Sequence, residues 1–161
     1  MIFITLGSQK FQFNRLLIAV DKLIDRNEIK DEVFAQIGYS DYKPRNYEYK
    51  KFLDHETFAE MEDRADIVLT HGGTGAIMGA VKKRKKVIAV PRLAQYGEHV
   101  DDHQLQVLRE FENLGIILVC YDTDYLGKVF ERIYSEEMRP YISNKRNIIE
   151  SIDNFLKEIV H

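Results

Sequence analysis

The fold class follows from one stretch, IVLTHGGTGAIMGAVKK, which occupies residues 67–83. Its first four residues, Ile67–Thr70, are apolar or β-branched and predict a buried strand. A glycine turn follows at residues 71–75, and residues 75–83 carry the pattern of a short helix. An apolar strand joined to a helix by a glycine turn is typical of a parallel sheet that is covered on both faces.

The same alternation continues on both sides of this stretch. Strands are predicted at residues 2–6, 33–37, 87–90 and 116–119, with a further short strand ending near Phe52. Helices are predicted from Asn14 as N-cap, at 54–64, at about 100–113, from Asp122 or Thr123 with Tyr134 inward, and at about 144–160. This order predicts a single Rossmann-like α/β domain with a parallel sheet, spanning residues 1–161.

Composition narrows the class of protein. The chain has 161 residues, a net charge of −3 and one cysteine, Cys120. This charge argues against broad nucleic-acid binding, and one cysteine excludes a disulfide framework. No apolar run approaches the roughly 20 residues that span a bilayer, so we expect a cytoplasmic protein. The five basic residues at 82–86 are a candidate contact for anionic lipid, although a solvated helix end is the favoured interpretation.

Two glycine loops follow predicted strands. They are Gly7-Ser8-Gln9, after the first strand, and His71-Gly72-Gly73-Thr74-Gly75. Ligands of open α/β sheets bind at the carboxyl ends of the strands, and a helix N-terminus offers free N–H groups to an anion. The second loop is therefore a candidate pyrophosphate cradle, although its spacing matches neither a P-loop nor a dinucleotide fingerprint. A tight turn that binds nothing is the alternative.

A third polar segment, YGEHVDDHQ, occupies residues 96–104. On a helix, His99 and His103 would share a face, which permits a metal site with a carboxylate as third ligand. A polar helix start, with acidic residues near the positive end of the dipole, is the favoured alternative to a metal. The third interpretation is a group of hydrogen-bonding side chains that recognises sugar hydroxyls.

These motifs together resemble the donor-binding, C-terminal half of family 28 glycosyltransferases, which have the GT-B fold. The resemblance covers residues 1–125 and is carried by four segments in the same order: 7–9, 52–54, 71–75 and 102–104. In length the chain resembles the small catalytic subunits of split UDP-sugar transferases. One such group extends dolichol-diphosphate-N-acetylglucosamine, and a bacterial group, which residues 71–75 and 97–104 resemble more, works in capsule and exopolysaccharide synthesis.

The resemblance implies a role for each matching residue. The implied contacts are Gly7, Ser8, Gly72, Gly73, Thr74 and Gly75 with the diphosphate, Phe52 and Leu53 with uracil and ribose, and His103 and Gln104 with the sugar. Many relatives bind ribose through a glutamate at the position that Gly79 occupies here, and Glu98 is a candidate replacement. Glu98 and His99 are also the candidates for the catalytic base.

The implied activity is inverting transfer of a hexose, galactose or N-acetylglucosamine, from a UDP-sugar to a lipid-diphosphate-linked acceptor. The resemblance implies neither a cofactor nor a metal. It implies a membrane-associated, acceptor-binding partner subunit that recruits the chain to the inner face of the plasma membrane. Core packing is the favoured interpretation of the apolar stripe at residues 148–160 of the terminal helix, and the stripe is also the candidate docking element for a partner. A non-catalytic nucleotide-sugar-binding regulatory subunit and a metal-dependent hydrolase using His99 and His103 are the alternatives.

Overall fold

The computed structural model describes residues 1–141 and 146–160 of the chain. Six parallel strands form one sheet in the order β3-β2-β1-β4-β5-β6. Their bounds are β1 Ile2–Thr5, β2 Val33–Gln36, β3 Glu48–Lys50, β4 Ile67–His71, β5 Lys86–Val90 and β6 Leu118–Val119. The predicted α/β class with a parallel sheet is confirmed.

Helices cover both faces of the sheet. Their bounds are α1 Asn14–Asp25, α2 His55–Arg64, α3 Thr74–Lys82, α4 His103–Asn113, α5 Leu126–Ser135 and α6 Arg146–Val160, with 3₁₀ turns at Ala94–Tyr96 and Thr123–Tyr125. Side chains of α1 and α5 pack in one core layer, and side chains of α2, α3, α4 and α6 pack in the other. Successive residues of β1 and β4 face opposite layers, which is why these strands carry no polar alternation.

The strand order reverses between β1 and β4, which lie side by side with Thr5 opposite Thr70. On the outer side of β1 lie β2 and then β3, and on the outer side of β4 lie β5 and then β6. The loops that follow β1 and β4 therefore leave the same edge in opposite directions and open a crevice between them. Both predicted glycine loops lie at this crevice.

The connection from β2 to β3 has no helix, and a buried carboxylate holds it in place. Asp21 of α1 accepts hydrogen bonds from the Tyr42 hydroxyl at 2.6 Å, the Arg45 N–H at 2.9 Å and the Asn46 N–H at 3.0 Å. The same helix begins at Asn14, whose side chain bonds Asp41 instead of capping the helix. The expectation that Asn14 is an N-cap is therefore wrong, because its oxygen is taken by the loop.

Two further sequence expectations differ from the structure. The helix expected from about residue 100 begins at His103, so His99 lies in the preceding loop. Tyr134, expected to face inward, is 51% exposed, and its hydroxyl donates to Asp31. The aromatic ring lies at the last turn of α5, where the hydroxyl gains a partner at the surface and the ring leaves the core.

The basic run at residues 82–86 is largely used within the chain. Lys83 pairs with Glu62 at 3.0 Å and with Asp63 at 2.9 Å, and Lys85 donates to the Asp63 carbonyl at 2.6 Å. Lys86 belongs to β5, and its ammonium donates to the Ile133 carbonyl at 2.8 Å. These contacts favour the interpretation as a helix end over a lipid-binding patch.

The terminal helix α6 packs on the domain itself. Ile152, Phe155 and Leu156 are partly buried against the core layer of α3 and α4. This part of the apolar stripe is thus intramolecular packing, while the side chains of Ile148 and Val160 lie outside the described residues. Among the helices of the described residues, none is both long and apolar enough to cross a membrane.

Candidate functional site

The two glycine loops meet around the ring of His71. Gly7 has a φ of +73°, and a Cβ placed on it would lie 2.8 Å from His71 Cε1. A Cβ placed on Gly73 would lie only 2.2 Å from His71 Nε2. Glycine is therefore needed at both positions to let the loops close over the ring, and at Gly7 it also permits the left-handed backbone.

The hydrogen bonds around His71 define its protonation. The Thr70 hydroxyl donates its one proton to the Thr5 carbonyl at 2.9 Å, so its oxygen must accept from His71 Nδ1, 3.2 Å away. Burial, with a smaller contribution from the nearby Arg92 charge, lowers the pKa of His71 to about 4. The ring is therefore neutral at physiological pH, with its proton on Nδ1 and a lone pair on Nε2.

The start of α3 supplies the unpaired donors of the site. Gly73 is the N-cap, no side chain caps the helix, and the Ile77 N–H makes the first helical hydrogen bond, to the Gly73 carbonyl at 3.1 Å. Within residues 1–141 and 146–160, the N–H groups of residues 73–76 have no acceptor. A Cβ added at Gly75 would meet nothing within 4 Å, so this turn of the helix borders open space. These donors and the helix dipole suit an anion.

The side chain of Gln104 connects this loop to its neighbours. Its Oε1 accepts from the Gly72 N–H at 3.0 Å and from the Arg92 N–H at 2.9 Å. The Gly72 N–H is therefore not available to a diphosphate, contrary to the expectation for that residue. In the described part of the chain the Gln104 amide NH₂ has no partner, so only this end of the side chain is left for a ligand.

A buried arginine, for which the sequence predicts no role, holds the first loop in place. Arg92 donates from Nη2 to the Leu6 carbonyl at 2.6 Å, and from Nη1 to the Phe11 and Gln12 carbonyls at 3.1 and 3.2 Å. Its burial lowers the pKa of the guanidinium to about 10, so it remains charged. The only sequence signal was a charged residue directly after the Pro91 that ends a buried strand.

Glu98 is part of the framework of the site. Its fully buried carboxylate accepts from Arg15 Nε at 2.8 Å and Nη2 at 3.0 Å, and from the Leu93 N–H at 2.9 Å. The structure contradicts the expectation that Glu98 acts as the base or replaces the ribose-binding glutamate, because both oxygens are engaged and none is exposed. Position 79 itself faces α2, where a Cβ on Gly79 would lie 3.6 Å from Glu62 Oε1.

His99, Asp101 and His103 lie together beside the crevice. The two histidine rings are 4.6 Å apart, His99 stacks on Phe11 at 5.4 Å, and Asp101 accepts from both Nδ1 and the N–H of His103. The pKa of His99 is lowered by burial and by the neighbouring His103. Nitrogen and oxygen atoms of these three residues fall within 4.8 Å of one another, which a metal could use. Their hydrogen bonds also fit the polar helix start, since Asp101 accepts from the N–H of His103, the first residue of α4.

The expected nucleobase site lies on the other side of the crevice. The Leu53 N–H donates to Gln36 Oε1 at 2.9 Å, so the backbone of Leu53 can offer a ligand only its carbonyl. Phe52 is 47% exposed and packs edge-on against Tyr39, 5.3 Å away, beside a cleft of about 420 Å³. Tyr39 was not anticipated, because the sequence shows it only as one of several tyrosines in a polar loop.

The chain is similar in sequence to a known protein family and to two curated proteins. Residues 1–159 match the family model for the glycosyltransferase family 28 C-terminal domain. The UDP-N-acetylglucosamine transferase subunit ALG13 of Candida glabrata is 30% identical over 120 residues, which are 73% of this chain and 57% of that protein. The subunit of the same name from Eremothecium gossypii is 34% identical over 77 residues, 47% of this chain and 36% of that protein. The matched part of the chain thus covers less than two thirds of the length of either curated relative.

Solved structures share the fold. The glycotransferase of kitacinnamycin aligns with a TM-score of 0.61 at 16% identity, over 98% of this chain and 38% of that one. The solution structure of ALG13 aligns with a TM-score of 0.60 at 18% identity, over 94% of each chain. The MurG protein of Acinetobacter baumannii aligns with a TM-score of 0.57 at 17% identity, over 97% of this chain and 49% of that one.

Proposed function

This chain belongs to the family of glycosyltransferase family 28 C-terminal domains, and from that membership we propose that it is the donor-binding, catalytic subunit of a sugar transferase. The proposed reaction moves a hexose from a UDP-sugar to a lipid-diphosphate-linked acceptor with inversion, in polysaccharide synthesis. The names of the two curated relatives favour N-acetylglucosamine as the sugar. Galactose is the alternative, from the resemblance to the bacterial group.

The observation that carries the proposal is the row of N–H groups at residues 73–76, which have no acceptor among the described residues and border the crevice beside the Gly7 turn. Negative charge develops on the diphosphate as the bond to the sugar breaks. Fixed N–H dipoles at a helix start stabilise that charge without having to reorganise. No step of this account needs a cofactor, and we propose that none is used.

The rest of the donor fits around this cradle. We assign uracil to the cleft beside Phe52 and Tyr39, where an aromatic face is exposed and the Leu53 carbonyl can accept from the base. The sugar is assigned to His103 and to the free NH₂ end of Gln104, which offer a ring and two donors to hydroxyl groups. Of the two candidate bases, only His99 remains in this chain.

Partner and location are proposed from the relatives. Both curated relatives are named as transferase subunits, and we propose a membrane-associated second subunit that binds the lipid-linked acceptor. It would recruit this chain to the inner face of the plasma membrane and complete the cleft around the donor. The catalytic base then comes from His99 or from that partner.

Replacing Gly75 with alanine tests the cradle. Gly75→Ala adds a methyl group that meets no protein atom, so the fold should persist and the helix should gain slightly. In the donor site the same methyl group would occupy the approach to the N–H row. We expect UDP affinity, measured by titration calorimetry, to fall about tenfold or more, equivalent to about 1.4 kcal/mol.

The control is Gly79→Ala, the same change on the same helix, with its methyl group directed toward α2. UDP affinity should be unchanged in this variant. A Gly75→Ala protein that melts normally and binds UDP as well as the parent would rule out the cradle. Gly73→Val is unsuitable as a test, because a Cβ at Gly73 collides with His71 whether or not a ligand binds.

A metal-dependent hydrolase remains the second candidate, because the atoms of His99, Asp101 and His103 lie within 4.8 Å of one another. Stoichiometric zinc or manganese in the purified protein, lost in a His99→Gln variant, would support it. UDP binding that is unaffected by a chelator would favour the transferase subunit. UDP-sugar binding without any transfer, even with the membrane subunit, would favour a regulatory subunit.

A further inference from the structure

His71 Nε2 lies beside the proposed diphosphate cradle at residues 73–76, and the proposed function gives it no role. Its ring is neutral and protonated on Nδ1, because the Thr70 oxygen can only accept from that nitrogen. In the described residues Nε2 has no hydrogen-bond partner. The only fully buried side-chain nitrogen or oxygen without a partner in those residues is Arg92 Nε, so solvent reaches His71 Nε2.

The position of this nitrogen is fixed by the two glycines. A Cβ on Gly7 would lie 2.9 Å from Nε2, and a Cβ on Gly73 would lie 2.2 Å from it. The lone pair therefore lies at the junction of both loops, next to the first free N–H groups of α3. An anionic oxygen bound there would face the lone pair of Nε2. The two would repel each other unless a proton on Nε2 formed a hydrogen bond between them.

We propose that His71 takes up a proton from solution as a nucleotide diphosphate binds, so that the imidazolium donates from Nε2 to the diphosphate. This inference rests on the proposed diphosphate cradle. The proton comes from water or buffer and forms the Nε2–H bond, while Nδ1–H keeps its bond to Thr70. When the diphosphate leaves, the proton returns to solution, so the cycle consumes none.

The surroundings of His71 explain why the ring is neutral in the free protein and is protonated only when the ligand is bound. Arg92, after β5, and His99, before α4, both disfavour a positive ring, and burial does so more strongly. The Thr5 carbonyl of β1 favours it only partly. The charge of a diphosphate reverses this balance, because an opposite charge within hydrogen-bond distance stabilises the imidazolium.

The proton uptake sets the sign of the pH dependence. A ligand that raises a group's pKa binds more weakly as the pH rises through the pKa of the complex. Diphosphate affinity should therefore decline toward alkaline pH, and the effect should be absent where His71 cannot titrate. In the transferase, the same proton would help to balance the charge on the departing diphosphate.

The test is calorimetric titration of the full chain with UDP at about pH 7.5, where the terminal phosphate of UDP, with a pKa near 6, is already ionised. The titration is repeated in buffers of different ionisation enthalpy, and the slope of the observed enthalpy gives the protons exchanged. We expect an uptake of about half a proton or more. The ring ¹⁵N shifts of His71 should change from the Nδ1–H tautomer to the imidazolium on binding.

Two variants complete the design. His71→Asn keeps a donor near Thr70 but cannot titrate, so its slope should be close to zero. His55→Asn, the same change at an exposed site on α2, should keep the slope of the parent. UDP binding by the parent without proton uptake, or with His71 still neutral by NMR, overturns the inference and leaves the cradle standing. A parent chain that does not bind UDP overturns both.

Discussion

The ion pair of Arg15 and Glu98 shows how a single residue decides the shape of the crevice. The carboxylate is fully buried and the arginine side chain is 18% exposed, so removing one charge leaves the other without its partner. We expect Glu98→Gln to lower the free energy of unfolding by about 3 kcal/mol, as for other buried pairs that lose one member. Urea unfolding of the purified variant measures this change.

Glu136→Gln is the matched control, since its partner Arg132 lies four residues earlier on the surface and both side chains are about half exposed. Little change is expected there, because exposed pairs contribute little. Equal, small effects in the two variants would show that Glu98 is not a structural carboxylate and would reopen its assignment as a base.

Glu98 also shows where sequence reasoning stops at the residue scale. Its place among histidine and acidic residues favours a role as catalytic base or ribose ligand. The neighbouring residues do not reveal that Arg15, 83 positions earlier, forms an ion pair with it. Arg92 and Gln36 were missed for the same reason, because their partners are distant backbone groups. Gly7 and Gly73, by contrast, could be identified, since glycine directly after a strand marks a turn in the sequence itself. Only Gly7 has a left-handed backbone, whereas Gly73 is required by the ring of His71.

At the scale of elements, Gln104 joins the first turn of α4 to the ends of β4 and β5. Gln104→Ala removes one acceptor from two buried N–H groups, each of which then costs about 1–3 kcal/mol. The loop at Gly72 should loosen, so we expect the affinity for UDP to fall. The affinity for UDP-N-acetylglucosamine should fall at least as much, because the proposed contact of the amide NH₂ with the sugar is lost as well. Titration calorimetry with both ligands measures this.

His103→Ala provides the contrast, because His103 bonds only within its own turn. This variant should weaken UDP-N-acetylglucosamine more than UDP. If Gln104→Ala reduced only the affinity for the sugar nucleotide, the side chain would be a plain sugar contact and its bonds to the loops would be dispensable.

Element types were predictable, while several boundaries were not. The apolar runs of β1, β4 and β5 and the glycine turns mark strands and helix starts from their own sequence. The sequence pattern predicts α4 to begin three residues too early, because Asp101, and not an earlier residue, accepts from the N–H of His103. The contact between His99 and His103 was expected from helical spacing and instead arises from a loop folded against the helix start.

For the whole molecule, the candidate site lies at the carboxyl ends of β1 and β4, and the exposed Tyr96 and Val100 lie in the loop between β5 and α4. We expect the chain alone to bind UDP but to transfer sugar only together with the proposed membrane-associated subunit, because positioning the acceptor contributes several kcal/mol to the barrier reduction. The measurement is transfer of labelled hexose to a lipid-linked acceptor, by the chain alone and after reconstitution. Full activity of the chain alone would refute the two-subunit proposal.

Arg92 has a consequence for the order in which the molecule is made. Its guanidinium joins carbonyls at Leu6 and Phe11, 86 and 81 positions earlier, to the end of β5. The ribosome has therefore to synthesise the chain beyond residue 92 before the first glycine loop can adopt its final shape. Contacts of such long sequence separation form late, since chain entropy opposes them until neighbouring strands are in place. The nascent chain should acquire its sheet before it acquires a crevice that can hold a ligand.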